Sequence, residues 1–341
     1  MQLCRPYIYL LSAIGALFLV GLHVFTRVEI HSGYWQPDLM VAAETAVLVF
    51  LLARARGKLD GASALLIRIL KVTQGVFEGI LMIASVATVL RLLDHATKTF
   101  DVPLADEGLA RADTFLGLPW RAYFEWVHDH PDLHPLMEWA YTAIDPATVA
   151  TIALLPLIGS QARMKAFVEA FLICAMLSIM VGAFFPARAA VDYLIGDLAA
   201  HSSFIHPPGV YHLEAMDELR APSGPIVVGD GFLPGMTTFP SLHTGIGVLI
   251  LLAGLGTRLW LPAMAYAALM ISATPIWGGH YFVDLIAGAA LAVPVWVLVC
   301  RSLSVQAFGK TNPSPPDAAI PAGGPAQMEM PLANEEISTH G

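Results

Sequence analysis

The stretch Gly278-Gly279-His280-Tyr281-Phe282-Val283-Asp284, continued as LIAGAALAVPVWVLVC over Leu285–Cys300, decides the fold. From Tyr281 to Cys300 the only charged residue is Asp284. A run of that length, coiled as a helix, crosses the roughly 30 Å hydrocarbon core of a bilayer. His280 stands at its mouth, and Asp284 follows four residues later, on the same helical face. The glycines let the backbone approach a ligand closely.

Working outward, seven more apolar runs resemble this one. The candidate spans are Tyr7–Phe25, Asp38–Ala53, Gly75–Leu93, Pro146–Ser160, Ala166–Phe185, Ser241–Leu255, Leu259–Ile276 and Tyr281–Cys300. The chain is 56% hydrophobic and 13% charged over 341 residues, with mean hydropathy +0.65. No ordinary soluble domain has this composition. The expected fold is all-α, a polytopic membrane helical bundle of about eight transmembrane helices. The net charge of −9 leaves no basic patch, which excludes nucleic acid as an expected partner. Cys4, Cys174 and Cys300 show no metal or disulfide spacing.

Lysine and arginine set the orientation. Eleven of the 18 fall on one side: Arg5, Arg54, Arg56, Lys58, Arg68, Lys71, Arg163, Lys165, Arg258, Arg301 and Lys310. Both termini are therefore expected in the cytoplasm of a multi-pass cell-membrane protein. In a Gram-negative cell this is the inner membrane. A second histidine segment, Phe239-Pro240-Ser241-Leu242-His243-Thr244-Gly245, opens the sixth span. It then lies on the same outer, periplasmic face as His280.

Between Asp94 and Asp145, Leu116, Trp120, Tyr123, Phe124, Trp126, Leu136, Trp139 and Tyr141 alternate with charges. This pattern reads as amphipathic helices on the outer membrane boundary. The loop 186–238, rich in Pro and Gly and carrying His201, His206 and His212, reads as a cap over the site. The expected division is 1–93 as N-terminal transmembrane helices, 94–308 as the catalytic membrane domain, and 309–341 as a disordered cytoplasmic tail.

Two histidines and a carboxylate can move a phosphoryl group without a metal. Pro240 suits the first turn of a helix and Ser241 its cap, and free N–H groups there attract phosphate. His243 is placed to give a proton to a leaving alkoxide. Asp284 can hold one ring nitrogen of His280 and leave the other free to attack phosphorus, giving a phosphohistidine. Water or a lipid or polyol hydroxyl would resolve it.

These residues resemble the type 2 phosphatidic acid phosphatase superfamily, whose second signature is Pro-Ser-x-His and whose third ends in His-x-x-x-Asp. FPSLHTG and HYFVDLIAG are more similar to its inositol phosphorylceramide synthase branch, as is the stretch Asp106 to Tyr141, with Asp113, Leu116-Gly117, Trp120, Tyr123, Trp126, His130-Pro131 and Tyr141. The resemblance covers about Asp94 to Cys300. It implies His280 as nucleophile, Asp284 as its orienting partner, His243 as acid and Ser241 as a phosphate contact. The phosphatases carry an arginine six residues before the nucleophile, where this chain has Thr274, and their first signature, Lys-x6-Arg-Pro, is absent. Arg188 is the expected replacement at the phosphate.

The remaining candidates are bland. His128, His130 and His134 straddle Pro131 and read as a solvated loop, not a metal site. Arg111, Arg121 and Lys98 read as solvated charges near head groups. No metal and no cofactor is expected. The expected activity is transfer of a phospho-head group between membrane lipids. The alternative is a phosphatase acting on phosphatidic acid, an isoprenoid diphosphate or a related lipid. A third reading, a non-catalytic lipid-binding or transport protein, sits poorly with the complete His243, His280 and Asp284 set.

Overall fold

A computed structural model describes residues 6–25, 28–31, 33, 35–57, 63–198, 201, 203–221, 226–228 and 233–308; the expected tail, 309–341, lies outside the described residues. The long helices are α1 (Pro6–Phe25), α2 (Trp35–Gly57), α3 (Ala64–Lys98), α7 (Ile144–Leu157), α8 (Gln161–Gly182), α11 (Leu242–Gly254), α12 (Trp260–Trp277) and α13 (Phe282–Ser302). Each coincides with one of the eight expected spans. The shorter helices are α4 (Asp106–Phe115), α5 (Trp120–His128), α6 (His134–Thr142), α9 (Ala190–Leu194) and α10 (Leu213–Leu219). The protein is thus an all-α membrane bundle.

Four helices, α3, α8, α12 and α13, are long and apolar enough to cross a membrane among the described residues. The segment Pro131–Thr142 joined to α7 adds a fifth, bent by 57°. At thirteen residues α11 is shorter, about 20 Å. The third helix is longer than its apolar run suggests. It starts at Ala64 under a Ser63 cap and continues unbroken through residue 93 to Lys98.

The main core lies where α3, α7, α8, α11 and α13 meet, around Leu92, Leu155, Phe167, Leu249 and Trp296. Leu17, Val24, Phe50 and Leu65 face outward, as a lipid-facing surface requires. At the end of α11 remote from His243, Arg163 is 1% exposed and donates to the carbonyl oxygens of Leu252 (2.9 Å), Ala253 (3.2 Å) and Gln306 (3.0 Å). A cation there satisfies carbonyls that the helix itself leaves open. Sequence alone showed Arg163 only as a charge on one side of the membrane.

A second core sits at the other end. The helices expected between Asp94 and Asp145 are α4, α5 and α6, but their aromatic residues divide. Trp126 and Trp139 are about half exposed, whereas Trp120, Phe124 and Tyr141 are buried against Ile276, Trp277 and Tyr281. The buried set packs the mouth of the bundle and does not line a membrane boundary. Two short strands, β1 (Val28–Ile30) and β2 (Ile226–Val228), pair in parallel and tie the segment after α1 to the 186–238 loop.

Lys98 is not solvated as expected. It is 1% exposed, lies 3.4 Å from Asp94 and donates to Thr237 Oγ1 at 2.9 Å. Asp94 also accepts from the Met236 N–H (2.8 Å) and the Thr237 hydroxyl (2.6 Å). A buried charge persists only when paired in this way. The cluster fixes the chain just before Phe239-Pro240-Ser241.

Candidate active site

Two helix starts build the site. At α13, Asp113 of α4 accepts the N–H groups of Phe282 (2.9 Å) and Val283 (2.7 Å), which supplies a cap from outside the helix. Trp120 Nε1 donates to the carbonyl of His280 at 2.8 Å. Tyr281 donates its hydroxyl to Asp106 (3.0 Å), which also accepts the backbone N–H of Arg188 (2.9 Å). The helices between residues 106 and 128 therefore hold the chain from His280 to Val283. Burial raises the carboxyls of Asp106 and Asp113 above their ordinary value.

The glycines before His280 have a specific use. Gly279 has φ +66° and Gly209 has φ +69°, and the two backbones touch. A Cβ on Gly279 would lie 2.5 Å from the Gly209 oxygen. The 186–238 loop thus lies directly on the segment carrying His280, and the Ala190 N–H adds a bond to the Gly279 carbonyl at 2.7 Å.

At α11, Ser241 is the N-cap and its Oγ accepts the Thr244 N–H at 3.3 Å. No group among the described residues takes the N–H of Leu242 or His243. The two helix starts are joined directly, because the Ser241 N–H donates to the Asp284 carbonyl at 3.0 Å. Gly288, one turn beyond Asp284, permits this approach: a Cβ there would lie 2.2 Å from the Ser241 oxygen.

Four of the five expected site residues come together. His280 Nδ1 is 3.3 Å from Asp284 Oδ2, which also accepts the Tyr281 N–H at 2.9 Å. His280 Nε2 is 3.5 Å from Ser241 Oγ. His280, Asp284 and Ser241 are all buried. Across from them stands His243, its ring 6.5 Å from that of His280 between centroids. Tyr141 stacks on His243 at 4.1 Å and 11°.

The fifth, Arg188, faces elsewhere. Its guanidinium pairs with Asp192 at 2.7 Å and with Asp217, and these bonds, Asp217 foremost, raise its pKa. Its backbone turns toward the site, the N–H to Asp106 and the carbonyl to His212 Nε2 at 2.5 Å. Thr274, where the phosphatases carry an arginine, is fully buried and bonds back to the Met270 carbonyl at 2.8 Å. His130 Nδ1 and His134 Nε2 are engaged by the Trp126 and Val127 carbonyls, and His128 Nδ1 lies by Asp129.

Sequence reasoning gave no role to Asp106 or Tyr211, and placed His212 only as one of three histidines in the loop expected to cap the site. Asp106 and Asp113 carried a signal of a kind, acidic residues among aromatics in a loop too ordered in pattern for a linker.

The arrangement presents one imidazole held by a carboxylate, a second imidazole opposite, and a helix start beside both. The family model of the PAP2 superfamily matches residues 107–298, which include both motifs and run from the second residue of α4 into α13, short of its last turn. No curated protein and no solved structure matches the chain. With more than half its length covered, the chain belongs to the PAP2 superfamily, a family of phosphatases and phosphotransferases that act on lipid phosphates.

Proposed function

We propose that this protein is a membrane lipid phosphotransferase of the inositol phosphorylceramide synthase type, working through a phosphohistidine at His280. The observation that carries the reading is the line Asp284 Oδ2, His280 Nδ1, His280 Nε2, Ser241 Oγ, with contacts of 3.3 Å and 3.5 Å at its two ends and His243 opposite.

Asp284 keeps the proton on Nδ1, so Nε2 presents its lone pair. Nε2 attacks phosphorus, the bond to the lipid oxygen breaks, and His243 gives that oxygen its proton. In-line attack needs about 3 Å between reacting atoms on either side of phosphorus. The rings of His243 and His280 stand 6.5 Å apart between centroids, tilted by 59°. In the second step an acceptor hydroxyl attacks the phosphohistidine, His243 takes the hydroxyl proton, and Nε2 leaves. Ser241 Oγ and the N–H groups of Leu242 and His243 offer the phosphoryl oxygens a seat at the positive end of α11. A direct contact from Arg188 would require it to exchange Asp192 and Asp217 for the phosphate.

Burial of the nucleophile favours an acceptor hydroxyl brought in by a bound substrate over bulk water. The site opens toward the outer leaflet, with both termini cytoplasmic. The β1–β2 pairing supports this, since it puts the end of α1 on the same side as the loop over the site.

The test is product analysis in liposomes. Labelled phospholipids are supplied with and without ceramide or diacylglycerol, to wild type and His280→Ala. A new acceptor-dependent phospholipid that requires His280 supports the reading. Free phosphate that requires His280 makes the protein a lipid phosphatase.

A further inference from the structure

One side chain outside the two motifs meets both motif histidines. Tyr141, in the last turn of α6, is 6% exposed, and its ring lies nearly flat on that of His243, 4.1 Å away and 11° from parallel. Its hydroxyl lies beside His280, and Gly278 locates it there. A Cβ on Gly278 would stand 2.9 Å from the Tyr141 hydroxyl oxygen and 2.5 Å from His280 Cδ2. The hydroxyl is therefore no farther from Cδ2 than those two lengths laid end to end. Cδ2 is bonded to Nε2, the attacking atom of the proposed mechanism. Glycine at 278 keeps this space open, since any side chain would fill it.

The ring is held from behind. Tyr141 belongs to the second core, with Ile276 and Trp277. The Tyr266 hydroxyl donates to the neighbouring Ala140 carbonyl at 3.2 Å, one of the last carbonyls of α6 and so open to a partner. The hydroxyl of Tyr141 is less committed. Among the described residues it makes one hydrogen bond, with the Tyr211 hydroxyl at 3.0 Å, and either oxygen can be the donor. The Tyr141 proton can therefore turn to another acceptor without that bond being lost.

A phosphoryl group in transfer spreads its negative charge over three equatorial oxygens. Ser241 and the free N–H groups approach from α11. Arg188 and Thr274 are engaged elsewhere, the first by Asp192 and Asp217, the second by the Met270 carbonyl. Tyr141 approaches from a different helix and carries a proton that can be redirected. We propose that Tyr141 is a catalytic residue whose hydroxyl donates a hydrogen bond to an equatorial phosphoryl oxygen as the group passes to His280 Nε2. The proton stays on the tyrosine, and the stack fixes this donor relative to His243. The assignment rests on the phosphohistidine reading and holds whether water or a lipid hydroxyl completes the reaction.

The test compares wild type, Tyr141→Phe, Tyr211→Phe and His280→Ala in liposomes. Turnover is followed with phosphatidylinositol and phosphatidic acid labelled at phosphorus, the donors of the two readings. Binding of orthovanadate is measured beside it, because vanadate on a nucleophile takes the five-coordinate shape of a phosphoryl group in transfer. Tyr141→Phe keeps the ring on His243 and removes only the hydroxyl. It should lower kcat about a hundredfold, as loss of one charge-stabilising donor does, with KM unchanged and vanadate binding weakened at least about tenfold. Tyr211→Phe breaks the same tyrosine pair but leaves the Tyr141 proton, and should keep nearly wild-type kcat and vanadate affinity.

Four results would each overturn the proposal: wild-type kcat in Tyr141→Phe, a raised KM at wild-type kcat, a lowered kcat with vanadate affinity intact, or an equal loss in Tyr211→Phe. His280→Ala separates the two levels. Turnover or vanadate binding that survives in it removes the phosphohistidine reading itself. Their loss in His280→Ala, beside an unaffected Tyr141→Phe, removes only the role of Tyr141.

Discussion

The backbone N–H of Ser241 donates to the backbone carbonyl of Asp284 at 3.0 Å. One hydrogen bond thus couples the start of α11 to the first turn of α13, and with it Ser241 to the His280–Asp284 pair. Because both partners are main chain, the coupling is blind to side-chain identity and depends on how closely the helices approach.

That approach depends on Gly288. Its missing Cβ leaves the place where the Ser241 oxygen would otherwise be 2.2 Å away. Gly288→Ala should push α11 from α13, separate Ser241 from His280 and lower turnover on the order of a hundredfold, the penalty for a misplacement of about 1 Å. Initial rates in liposomes and a thermal melt check this. A variant with wild-type rate would show that the close approach is not needed.

In the proposed mechanism Asp284 orients His280 and does not itself react. Asp284→Asn should leave the fold intact and lower turnover by about 10²–10⁴, since an amide can hold the wrong tautomer of His280. His280→Ala should remove turnover altogether. Equal residual rates in the two variants would argue against the orienting role.

In the proposed mechanism His243 gives the leaving oxygen its proton. Its replacement by alanine should slow substrates with poor leaving groups by about 10²–10⁴ and those with good ones, such as a nitrophenyl phosphodiester, much less. A uniform loss across leaving groups would make His243 a binding residue instead.

Asp113 caps α13 from α4, and burial raises its carboxyl above the ordinary value of 3.8. A raised carboxyl binds its proton more readily in the folded state. It therefore adds stability as pH falls from the raised value toward 3.8 and loses it as pH rises through that window. Asp113→Asn should cost about 1 kcal/mol at pH 7 from the weakened cap and should flatten this part of the pH–stability curve. Melts of both proteins between pH 4 and 7, at intervals finer than the roughly two pH units that a single titration spans, would show parallel curves if the carboxyl did not titrate.

Much of this was legible from residue pattern because bilayer physics leaves few choices. Tyr281–Cys300 has the length and apolarity of a membrane helix, and its contact with His280 is made by Asp284 in the first turn reaching back past the N-cap Tyr281, so that His280 stands before the helix and not on its face. The pairing of His243 with His280 followed from topology. What could not be read was set by contacts distant in sequence. Trp120 and Tyr141 look like boundary aromatics until α12 and α13 are seen to cover them. Lys98 looks solvated until Asp94 and Thr237 close on it. Arg188, picked for its charge, meets two carboxylates on separate helices, Asp192 and Asp217. The parallel pairing of β1 and β2 joins three-residue segments nearly two hundred positions apart, too short to carry a strand pattern.

The central claim is covalent attachment of phosphorus to His280. The direct measurement is trapping. The protein in liposomes is mixed with phospholipid labelled at phosphorus, quenched within a turnover, and digested for peptide mapping. The account predicts acid-labile, alkali-stable label on the peptide carrying His280, absent in His280→Ala and retained in His243→Ala when the leaving group is a good one. Turnover without label at His280, or turnover that survives His280→Ala, would contradict it.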